Sequence, residues 1–180
     1  MDKFNIYEYS GVICPGAVFI IGLYFLYDPT FQIFEIFNLT AVLIFINFSF
    51  CIGNILHGVA NIIEDFIYSP RNYTERQLKK KKIKEELSQV YNLLESNNEL
   101  KNIGILNRQY ALMRGLSAAF LSLSIISIIK NNSCIDRLVL FLLLLISFYR
   151  AIHFVKLYTD VICDKYKFIK NKNMISRRWL

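Results

Sequence analysis

The sequence predicts an all-α, polytopic membrane protein with about four transmembrane helices and a helical cytoplasmic hairpin. Three observations predict it. The 180 residues are 54% hydrophobic and only 19% charged, with a mean hydropathy of +0.36, against about 45–50% and about 25% in ordinary soluble domains. Four apolar segments approach the length of about 20 residues that crosses a bilayer. Basic residues gather between the second and third segments and after the fourth. The aromatic and aliphatic content excludes disorder. Seven glycines and three prolines are too few for collagen-like or loop-rich architecture.

The first apolar segment, Gly11–Tyr27, has seventeen residues and no charge. Its flank, MDKFNIYEYS, sets Asp2 and Glu8 against one Lys3, and no small-residue cleavage site follows, so it reads as a retained helix and not a signal peptide. Pro15-Gly16 marks a kink or the first turn of the helix proper. The second segment runs from near Leu39 to about Ile63 with polar residues set into it. The third spans about Tyr110–Ile129, with Arg114 one turn inside. The fourth opens at Leu138 with LVLFLLLLISFY and continues past Arg150 in a helical pattern. These last two cross a bilayer if Arg114 and Arg150 lie near a face and snorkel.

Charge sets the orientation. Pro70–Gly115 carries ten Lys/Arg, and eight more follow from Arg150 onward. The connection Asp28–Asn38 has none and Lys130–Arg137 has two. Positive charge stays on the cytoplasmic side, which puts both termini and the middle region inside a bacterial inner membrane and the two short connections outside. Retention and attraction to anionic lipid account for the basic clusters; nucleic-acid contact by Lys79–Lys84 is the alternative. The chain thus divides into a first helix pair (1–69), a basic helical cytoplasmic region (70–109) and a second pair with a long C-terminal helical extension (110–180).

Within the middle region, Arg76–Glu95 predicts one long helix. Ile83, Leu87, Val90 and Leu94 form an apolar stripe at spacings of four, three and four. Ser96-Asn97-Asn98 ends it and Gly104 marks a second joint before re-entry through Asn107–Gly115. The stripe packs against the protein's own helices or serves a partner.

Polar residues inside apolar spans are the informative ones. Asn47, Asn54 and Asn61 are seven apart, His57 is three beyond Asn54, and Glu64 is three beyond Asn61 with Asp65 beside it. This predicts one polar face on the second helix, with Gly53 and Gly58 near it to admit another helix. Asn54 is fifteen residues from Leu39, Arg114 fifteen from Ile129, and Arg150 twelve from Leu138. All three lie roughly 18–23 Å from the outer face. Arg114, Arg150 and His153 are therefore expected to meet Asn54, His57, Asn61 and Glu64 by carboxylate–guanidinium pairing. Such a cluster fixes helix register, lines an aqueous path through an oligomer, or forms a metal-free ribonucleolytic site in which His153 is acid/base and Arg150 steadies phosphate charge. No P-loop, GxSxG, HExxH or CxxC is present. The four cysteines give neither a disulfide nor a zinc framework, and no cofactor is expected.

The opening FNIYEYSGVICPGAVFIIGLYF, the stripe GNILHGVANIIED and the closing FYRAIHFVKLYTDVI resemble the small membrane accessory proteins of type VI CRISPR systems. The resemblance implies a divergent HEPN-like signature and a ring-shaped homo-oligomer forming a pore. It also implies support of RNA-targeting anti-phage immunity by membrane depolarisation, with an RNA-guided nuclease effector or its RNA signal as partner. The HEPN pattern wants four to six residues between Arg and His; Arg150 and His153 have two. That departure weakens the implied nuclease and leaves the implied pore untouched.

Overall fold

In the computed structural model the described residues are 6–27, 39–67, 69–83, 85–96 and 100–176. They form six α-helices and, among them, no strand. In chain order these are α1 (Ile6–Tyr27), α2 (Leu39–Ile67), α3 (Pro70–Lys80), α4 (Leu87–Ser96), α5 (Leu100–Ile129) and α6 (Cys134–Ser176). Three of them contain stretches long and apolar enough to cross a membrane: Thr40–Glu64, Ile103–Ile129 and Cys134–Asn171. Gly11–Tyr27 in α1 is a shorter apolar helix. The expected outward connection 28–38 and the break at Asn97-Asn98 lie outside the described residues.

The four long helices run up, down, up and down, with α5 at the centre touching α1, α2 and α6. Helix α1 crosses α2 where two glycines let the backbones touch. A Cβ on Gly16 would lie 1.8 Å from the Ser49 carbonyl oxygen, and one on Gly53 would lie 2.0 Å from the Val12 carbonyl oxygen. Small residues at such a crossing replace the hydrophobic drive that lipid cannot supply. Pro15 sits inside α1, and its ring packs on Gly115 of α5. Leu56 and Ala60 of α2 pack with Ala118 and Ala119 of α5. Serines join α5 to α6, Ser117 donating to Ser147 at 3.1 Å.

The turn into α6 explains why two spans need so short a link. Asn131 takes a positive φ of 57°, and the Asn132 N–H bonds the Ser127 carbonyl at 3.1 Å, closing α5 in a left-handed cap. Ser133 then caps α6 by accepting from the Asp136 N–H and donating to its carboxylate.

Helix α6 has 43 residues, or about 65 Å at the helical rise, twice the depth of a hydrocarbon core. Its second half carries the remaining two helices. Leu78, Ile83, Val90, Leu94 and Ile103 are buried with Ile162, Cys163, Tyr166 and Ile169 of α6 in one cluster. The apolar stripe of the middle region is therefore consumed by the protein's own packing. Thr74 and Thr159 share a buried hydrogen bond of 3.0 Å, and the Tyr91 and Tyr158 hydroxyls meet at 2.6 Å. Lys81 bridges Asp160 and Asp164 at 3.0 and 3.1 Å, and Glu85 pairs with Lys170.

Two sequence expectations need correction. Arg76–Glu95 is not one helix: Lys82 adopts a φ of 60°, and the Ile83 N–H reaches back to the Leu78 carbonyl at 2.9 Å. This is a helix-ending motif whose hydrophobic contact is Leu78 with Ile83. The break lets both α3 and α4 lay apolar residues on α6. Gly104 is no joint either; α5 runs through it from Leu100, since one glycine costs a helix only about 1 kcal/mol.

Candidate functional site: an ion pair held between spans

Glu64 enters near the end of α2 and Arg114 midway along α5. Arg114 Nη1 donates to Glu64 Oε2 at 2.8 Å, with both side chains largely buried. His57, two turns before Glu64 on the same face of α2, lies behind the guanidinium, its Nδ1 3.5 Å from Arg114 Nη2. Its Nε2 is 3.0 Å from the Gly11 carbonyl oxygen. The imidazole thus links α1, α2 and α5 at one level. Tyr110, one turn before Arg114, places its ring under the guanidinium at 5.4 Å and its hydroxyl within hydrogen-bonding reach of Glu64. Both the arginine and the carboxylate thereby gain partners in a region where an unpaired charge is expensive.

The pair closes one end of a cleft of about 240 Å³ between α2, α5 and α6. Apart from Tyr110 and Ser117, the remainder of its wall is apolar, including Leu144, Phe148, Ala151 and Val155 of α6. Ser117 lies in its wall with its hydroxyl directed to Ser147; among the described residues no three His, Cys, Asp or Glu side chains gather as a metal site. Chemically the arrangement holds charge in place and joins three helices.

The expected polar face on α2 divides in two. His57 and Glu64 turn toward α5, while Asn54 and Asn61, with Asn47, are exposed on the outside of the bundle. Each step of seven residues falls about 20° short of two full turns, so His57 and Glu64 lie about 40–100° around α2 from the three asparagines. Asn47 donates to its own helix at the Leu43 carbonyl (2.8 Å), and Asn54 to the Phe50 carbonyl (2.9 Å). The expected meeting of Arg150 and His153 with this cluster does not occur within one chain. Both are exposed on α6, because the inward face there belongs to Ser147, Ala151 and Val155. The Asp65 side chain lies outside the described ones. Tyr110 joins the site without having been among the expected residues; its place four before Arg114 is the signal for it.

No known family model, curated protein or solved structure matches this chain.

Proposed function

We propose that the protein is a permeabilising membrane effector that acts as a homo-oligomer, with ions passing between copies and not through one chain. The supporting observation is where the polar side chains sit. Inside the bundle the charges of Glu64 and Arg114 are paired with each other, and backbones touch at Gly16 and Gly53, so a single copy spends its inward charge on its own packing. On the outside of spanning helices stand Asn47, Asn54, Asn61, Arg150 and His153, all exposed. Lipid tails offer these groups no hydrogen bonds, whereas neighbouring copies and a water-filled path between them do.

The basic loops favour an inner membrane with both termini cytoplasmic. A partner acting on the helical subdomain that α6 carries would reach the spans through that one continuous helix. The resemblance of the terminal helices and the α2 stripe to type VI CRISPR accessory proteins extends this reading to RNA-targeting anti-phage defence, with membrane depolarisation as output and an RNA-guided nuclease or its RNA signal as trigger.

Purified protein reconstituted into vesicles tests the reading. A potassium gradient monitored by a voltage-sensitive dye is expected to collapse at a rate that rises with the protein-to-lipid ratio, and the leucine variant N54L/N61L is expected to slow it. Vesicles that hold their potential at every protein density would overturn the proposal and leave a passive membrane scaffold.

A further inference from the structure

We infer that copies of this chain meet through α2, along a seam of Asn47, Cys51, Asn54, Gly58 and Asn61, with their α2 helices parallel around an axis normal to the membrane. The inference rests on the self-association proposed above and names the surface that produces it.

The spacing of these five residues is four, three, four and three, the a/d rhythm of a left-handed helix seam. All five are exposed in the single chain. The opposite side of α2 is already used: Ser49, Leu56 and Ala60 are buried, and Gly53 lies against Val12 of α1. A Cβ on Gly58 would meet nothing within 4 Å, so the seam is open at the point where a small residue allows closest approach.

The chemistry selects the occupant. An asparagine amide has two donor hydrogens and an acceptor oxygen. Asn47 and Asn54 each direct a donor to their own helix, which leaves an acceptor and a second N–H facing hydrocarbon. A lipid tail satisfies neither. A second asparagine satisfies both, so the seam is complementary to itself. Membrane insertion supplies the register without further design, since copies inserted the same way run parallel and present each residue at the same depth. Asn47 then faces Asn47, and Asn54 faces Asn54. In a ring of more than two copies the same residues face the common axis, which makes one stripe both seam and lining.

Cys51 provides the test. In full-length protein with the other exposed cysteines removed (C14S, C134S), oxidation in native membranes by copper phenanthroline is expected to give disulfide-linked dimers through Cys51. With Cys51 also replaced by serine, V59C serves as the control, because Val59 is exposed on α2 but off the seam; it is expected to stay largely uncrosslinked. N54L/N61L is expected to reduce the Cys51 dimer several-fold. Equal or stronger crosslinking at position 59, or an oligomer in mild detergent whose Cys51 does not crosslink, overturns the seam and leaves self-association standing. A protein that is monomeric in membranes and detergent overturns both.

Discussion

Arg114 and Glu64, fifty residues apart in sequence, close an ion pair of 2.8 Å between α5 and α2, and His57 ties the same guanidinium to the backbone of α1. This is where the first helix pair is locked to the second. Elsewhere the first pair meets α5 through small residues and shape; here charge fixes the rotation and depth of both helices.

Glu64→Ala and Arg114→Ala should each destabilise the bundle by about 3 kcal/mol, the cost of leaving the other charge uncompensated in a buried place. The double replacement Glu64→Leu with Arg114→Met should recover most of that loss, because two apolar groups need no partner. Thermal unfolding in mild detergent measures all three. Additive losses in the double variant would show that the two residues do not act as a pair.

Gly16 and Gly53 should tolerate nothing larger. The atoms a new Cβ would strike are carbonyl oxygens of Ser49 and Val12, and backbone cannot swing aside. Gly16→Ala or Gly53→Ala should cost roughly 1–3 kcal/mol, seen as a lower midpoint in the same assay. Gly104→Ala, with open space around it, should be neutral or slightly stabilising.

The helical subdomain should come loose from α6 before the spans do. Leu94 is fully buried in its apolar cluster, and Leu94→Ala should cost about 2–5 kcal/mol there. Limited trypsin digestion at Lys79–Lys82 reads this directly: cleavage should accelerate while α5 and α6 stay intact in detergent. Unchanged cleavage would mean that α4 is not docked as described.

Acid should act on the same subdomain late. The Lys170 ammonium, hydrogen-bonded to Glu85, pulls that carboxyl from its usual 4.5 down to about 2. A depressed carboxyl contributes stability above its unfolded value and loses it as pH falls through the folded one. The Glu85 contribution should therefore be complete at pH 5 and disappear between about 4.5 and 2. Lys81 works at the other limit. Burial opposes its charge, but Asp160 and Asp164 outweigh this and raise its titration above the usual 10.5. Its contribution is full below 10.5 and fades at higher pH. Being partly exposed, the Lys81 pairs should count for less than about 1 kcal/mol. Hydrogen exchange of α3 and α4 across pH 3–7, with and without Glu85→Gln, checks the acid side; the variant should flatten the acid response.

The spans and their polar residues were legible in the sequence because apolar length and the cost of buried charge are local, readable quantities. Counting residues to a common depth levels Arg114 with Asn54; of the four α2 residues expected to meet it, the salt bridge falls to Glu64, ten residues further along. What stayed illegible depended on rotation and on neighbours. Asn54 and Asn61 are only three residues from His57 and Glu64, yet they face outward because Gly53 and Ser49 take the inner side of α2. Arg150 and His153 share their helix with Ser147 and Ala151, and the smaller residues won the contact with α5. The break at Lys82 carries no local signal, because lysine is an unusual residue for a left-handed backbone; the need to bring Ile83 back onto Leu78 accounts for it.

The claim on which all of this depends is that α1, α2, α5 and α6 are embedded in lipid. Alkaline carbonate extraction of membranes from cells making the protein tests it most directly. The chain should remain in the membrane pellet and require detergent for release. Recovery in the carbonate supernatant would contradict the account, because Phe48, Ile55, Phe141 and Ile146, all exposed on the bundle, would then have to face water.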